Sequence, residues 1–155
     1  MRTTELAVSR EIAASADDVY AAVSDITRMG EWSPECHTCE WIDGSTTAVV
    51  GAKFQGENAN NGADWSIENV VTAADPGRKF AFDCMSGITT GFNFASWAYE
   101  IEPTANGCRV TETWKDHRTD KQANQPSISG VDDRVEFNRQ SMETTLERIA
   151  TAVED

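Results

Sequence analysis

Only one segment of this chain is patterned as a long amphipathic helix, and it lies at the C-terminus. Val131, Val135, Met142, Leu146, Ile149 and Val153 form one apolar stripe there, while Arg134, Glu136, Arg139, Glu143, Glu147 and Arg148 occupy other positions. Ser129 is placed to cap this helix, and Asp132 and Asp133 suit its positive N-terminal end. A one-sided helix must lie on another layer. What precedes it is mostly strand-like: residues 36–42, 52–58, 64–73, 79–84, 92–102 and 108–116 read as strands, after a first strand carried by Leu6, Val8 and Ile12. Turn signals separate them at Asp43-Gly44, Asn60-Asn61-Gly62, Asp75-Pro76-Gly77, Ser86-Gly87 and Asn106-Gly107. One helix cannot cover seven flat strands. The sheet has to curl around it, and large side chains must fill the remaining space or line a cavity.

Two short helices are expected after the first strand. Ser15-Ala16-Asp17-Asp18 resembles a capping box, Val19, Val23 and Ile26 keep helical spacing, and a second turn runs through 27–30. Pro34 then stops the segment. The polar stretch 119–129 reads as a connecting loop. With 155 residues, no linker and no repeat, the chain is expected to be a single domain, 1–155.

The formal charge is −13, and such a field repels nucleic-acid phosphates and anionic membranes. No apolar run approaches a membrane span and the N-terminus lacks an apolar signal core, which points to a cytoplasmic protein. The four cysteines then read as buried thiols.

Several segments together resemble the START-like (SRPBCC) superfamily, in particular its polyketide cyclase/dehydrase-like bacterial branch. They include Glu31-Trp32-Ser33-Pro34-Glu35, Phe54-Gln55-Gly56-Glu57-Asn58, Trp65, Asp75-Pro76-Gly77, Phe80 and Phe82. The segment from Trp97 to Pro103, the run Arg109-Val110-Thr111-Glu112 and the terminal helix complete the likeness. The resemblance implies an α+β helix-grip fold of the Bet v 1/START type: a curved seven-stranded antiparallel sheet around a long C-terminal helix. It implies binding of a small hydrophobic or amphipathic ligand, such as a lipid, fatty acyl chain or polyketide. A few relatives are cyclases or aromatases. No family motif fixes catalytic residues here, and no cofactor is implied.

Alternation along the strands selects the side chains that can reach a cavity. Phe54 and Asn58, Trp65, Phe80 and Phe82, Trp97 and Tyr99, and Glu112 and Trp114 form the inward set, with Val135 and Met142 facing them from the helix. The competing reading is that the aromatics fill a solid core. An inward Glu112 needs a partner or must protonate. It can hold a polar group of a ligand, act as a general base with Tyr99 as donor in an enzyme, or pair with Arg10 on the first strand. The pairing is the conservative expectation. Cys36, His37 and Cys39 invite a metal reading. Simple alternation, however, puts His37 and Cys39 on one face and Cys36 on the other, and a fourth ligand is missing, so no metal is expected. His117 has no nucleophile-elbow context. The segment 86–91 and the loop before the last helix are placed to form two lips of a cavity mouth.

Overall fold

The computed structural model describes residues 2–154. Seven strands, β1 (Glu5–Ile12), β2 (Cys36–Ile42), β3 (Lys53–Asn60), β4 (Ala63–Asp75), β5 (Lys79–Met85), β6 (Asn93–Thr104) and β7 (Gly107–Asp116), form one sheet in the order β1-β7-β6-β5-β4-β3-β2. Every adjacent pair is antiparallel. From β2 to β7 the chain is a meander, and β1 joins the far edge beside β7. Tight turns make this possible. Between β3 and β4, Asn61 and Gly62 both take positive φ, 48° and 85°, the conformation a two-residue hairpin of right-handed twist requires.

Between β1 and β2 the chain crosses the concave side as α1 (Ala16–Ser24), a 3-10 turn (Ile26–Arg28) and α2 (Met29–Trp32). Ser15 caps α1 by accepting from the Asp18 amide at 3.1 Å. Gly30 lets α2 lie directly on β2, since a Cβ at that position would sit 1.9 Å from the His37 carbonyl oxygen. A short α3 (Asp120–Ala123) follows β7, and α4 (Arg134–Val153) closes the molecule. The buried face of α4 carries Met142, Leu146, Ile149 and Ala150. These meet Ile12, Val19, Val23, Ile26, Trp32 and Val110, all buried in one cluster. Each such side chain contributes about 1.5–3 kcal/mol through burial, so this end of the grip is a packed core.

Three expectations need correction. The stretch 119–129 is not all loop, because Thr119 and Gln122 form a reciprocal capping box for α3. Ser129 does not cap α4. Gly130 turns left-handed at φ 69°, which breaks the backbone before the helix, and Asp133 caps instead by accepting from the Glu136 amide. Val131 therefore lies outside the helix. Finally, Arg10 does not pair with Glu112. It stands on an edge strand opposite Val110, and its long side chain reaches solvent.

Candidate ligand-binding site

The sheet register places the inward side chains opposite one another. Phe82 faces Trp97 across β5 and β6, Trp97 faces Trp114 across β6 and β7, and Tyr99 faces Glu112 one step further along. The two indole rings tilt against each other with centroids 6.4 Å apart. The end of the grip away from the packed core is hollow. An inner chamber of about 110 Å³ is enclosed by Asn58, Phe82, Tyr99, Glu112 and Met142, among others. An outer chamber of about 530 Å³ opens beyond it, walled by Trp65, Phe92, Phe94 and Trp114. Trp97, Ile67, Cys84, Glu35 and Asn138 border both, so the two spaces adjoin at a throat.

Eight of the eleven side chains expected at the cavity thus line one chamber or both. Phe54 and Phe80 do not. Both are fully buried and stack edge-on or tilted against Phe82, at centroid distances of 5.1 and 5.9 Å, behind the wall. For them the solid-core reading holds. Val135 also misses both chambers and is half-buried against the core. Both segments expected at the cavity mouth line the outer chamber: Ser86, Gly87, Ile88 and Thr89 from one, and residues 125–129 from the loop before α4. Ile88 and Ile128 are 88% and 68% exposed there.

Glu112 is the most constrained polar group. It is buried, and among the described residues its Oε1 has no hydrogen-bond partner and no cation lies beside it. Burial pushes its carboxyl up to about 8, with the neighbouring Tyr99 hydroxyl pulling the other way. Burial, and then the Glu112 charge, hold the Tyr99 hydroxyl well above the ordinary phenol range. Near pH 7 the carboxyl is therefore mostly protonated and can donate. Asn58 and Asn69 add amides to the same wall; each donates to a backbone carbonyl of its own strand, at 3.5 and 3.2 Å.

A second polar group forms the throat. Arg134, in the first turn of α4, donates to Glu35 Oε1 at 2.8 Å, to Asn138 Oδ1 at 3.1 Å and to Ser129 Oγ at 2.8 Å. Glu35 Oε2 is buried without a partner. Sequence reasoning missed this group. Asn138 gave a usable signal, since it interrupts the apolar stripe three residues after Val135 and four before Met142.

Cys36 and Cys39 depart from simple alternation. A bulge between Cys36 and Thr38 inserts a residue against β3 and turns both thiols to the chamber side, with Sγ atoms 3.2 Å apart. His37 instead lies exposed, within 3.4 Å of the Ala59 carbonyl oxygen. The hydrogen bond between the thiols lowers the Cys36 pKa and raises that of Cys39. Burial pushes up the Cys84 thiol, which lines the same chamber. On the opposite, convex face, Ser96 donates to Asp83 at 2.7 Å and lies 2.9 Å from His117 Nε2. Asp83 contacts the serine and not the imidazole, so these three do not form the relay in which an acid orients the base.

A curved antiparallel sheet gripping one helix around a hollow defines a helix-grip domain. The family model described as polyketide cyclase/dehydrase and lipid transport matches residues 3–154, and the chain belongs to that family. No curated protein matches the sequence. Among solved structures, the chain is similar to a polyketide-cyclase-like protein of Corynebacterium glutamicum, at 32% identity over 99% of this chain and 85% of that one, with a TM-score of 0.56. It shares its fold with the ginseng (Panax ginseng) major latex-like protein 151, at 12% identity over 97% of both chains and a TM-score of 0.73. The same holds for a di-domain ARO/CYC of the steffimycin biosynthetic pathway, at 14% identity and a TM-score of 0.67, over 97% of this chain and 50% of that one.

Proposed function

We propose that this protein binds one small amphipathic molecule, apolar along most of its length and carrying a hydroxyl or carbonyl at one end. The observation that carries this reading is the pair of adjoining chambers, about 530 and 110 Å³. That volume falls within the range of sites for drug-sized ligands. Their chemistry is graded. The outer chamber offers Trp65, Trp97, Trp114 and Phe94 to an apolar body. The inner one offers Asn58, Asn69, Tyr99 and Glu112 to a polar end. A protonated Glu112 donates to a carbonyl of the ligand and so satisfies the orphaned oxygen's side of the chamber. The exposed Ile88 and Ile128 at the lips keep the approach apolar. Membership in a family whose description includes lipid transport supports the same reading. Native mass spectrometry of freshly purified protein tests it. A retained molecule of a few hundred daltons, released on denaturation and extractable unchanged into organic solvent, is expected. Protein that is empty on isolation and fails to take up fatty acids or aromatic polyketides contradicts it.

One observation favours a second reading, in which the chamber performs proton transfer on a poly-carbonyl substrate. Glu112 is held near neutrality in its titration, faces the chamber and stands opposite Tyr99, as a general acid–base pair requires. Turnover of a poly-β-carbonyl compound by wild type, lost in Glu112→Gln, supports it; recovery of the same compound unchanged supports binding alone.

A further inference from the structure

The inner chamber carries a cluster of sulfur atoms that the small-molecule reading does not use. Cys36 Sγ and Cys39 Sγ are 3.2 Å apart, and Met29 Sδ lies 3.6 Å from Cys39 Sγ. All three side chains border the same chamber. We propose that Cys36, Cys39 and Met29 form a binding site for a soft monovalent metal ion of the copper(I) class.

Three features of the backbone build this cluster. The bulge at Cys36 and Thr38 brings two thiols, three residues apart, onto one face of β2. Gly56 stands opposite Cys39 on β3, and a Cβ there would lie 3.1 Å from Cys36 Sγ and 3.4 Å from Cys39 Sγ, so its absence leaves room for both sulfurs. Gly30 allows α2 to rest on the His37 backbone, which sets the adjacent Met29 over Cys39. The donor set decides the ion. Two thiolates and a thioether suit copper(I), whereas zinc would want a fourth ligand and rarely takes a thioether. Metal–sulfur bonds near 2.3 Å in a trigonal arrangement put sulfurs about 4 Å apart. The observed separations fall short of that by less than an ångström. Both cysteines are free thiols in the structure. Binding would release the two thiol protons to solvent, leaving a complex of net charge −1 at the three donors.

The test is titration of the reduced, anaerobic full-length protein with copper(I) in competition with a bathocuproine chelator. One equivalent should be withheld from the chelator, and X-ray absorption of that sample should show a copper shell made only of sulfur, which requires no variant. Cys36→Ser and Cys39→Ser should each lower the affinity at least a hundredfold, and Met29→Leu by about tenfold, with circular dichroism confirming the fold. Gly56→Ala should also weaken binding by crowding both thiols. Copper fully surrendered to the chelator by wild type overturns the proposal. So does a shell containing nitrogen or oxygen, or affinity unchanged in Cys36→Ser and Cys39→Ser.

Discussion

Glu112 shows how one residue carries a cost that a cavity can justify. Its carboxyl titrates at about 8 in the fold against 4.5 in an open chain, because burial disfavours the charged form. The folded state therefore holds this proton more tightly than the unfolded state does. Stability from this group is fully present below pH 4.5, and it is lost as pH rises towards 8. Glu112→Gln removes the titration and keeps the shape. Urea unfolding should find the variant close to wild type near pH 5 and more stable near pH 8.5, by several kcal/mol and at most about 5 kcal/mol. Parallel pH curves for the two proteins would mean that Glu112 is not a buried, unpartnered acid. That Glu112 points inward was legible from alternation with Val110 and Trp114. That Arg10 fails to reach it was not, because sequence spacing does not say that an edge-strand arginine escapes to water.

At the scale of the element, α4 and the strands were the most legible parts, since their periods of 3.6 and 2 are written directly into the residues. Met142 is the clearest case: 1% exposed, on the apolar stripe, and at the floor of the inner chamber. Met142→Asp buries a carboxylate without a partner and should cost about 2–5 kcal/mol. A lowered melting temperature checks it, and an unchanged one would place this face of α4 in solvent. What strand alternation could not show is the bulge in β2. One inserted residue reverses the facing of everything before it, so Cys36 joins Cys39 instead of opposing it. The start of α4 was obscured in a similar way. Ser129, Asp132 and Asp133 are all capping residues, and only the left-handed Gly130 and the engagement of Ser129 by Arg134 decide in favour of Asp133.

For the whole molecule, the governing fact is that a single helix does not fill its sheet. Core aromatics and wall aromatics are the same residue types, which is why the strand pattern could not separate Phe54 and Phe80 from Phe82 and Trp97. Position along the grip separates them. Near β1, α1 and the C-terminal half of α4 the space closes into a core, while near the first half of α4 it stays open between Asn138 and the indoles. Trp97 borders both chambers and stands at their junction. An environment-sensitive apolar dye such as a naphthalene sulfonate should therefore bind the native protein, perturb tryptophan emission, and be displaced by a long-chain fatty acid. Trp97→Arg should stay folded, because the hollow leaves room for a guanidinium, and should lose dye binding by at least tenfold, because it sets a charge in the apolar throat. The most direct test of an internal ligand cavity is that dye titration on wild type and Trp97→Arg side by side. A folded variant that no longer binds the dye is the predicted result. A folded variant that binds as well as wild type, or one that unfolds as a packed core would, contradicts it.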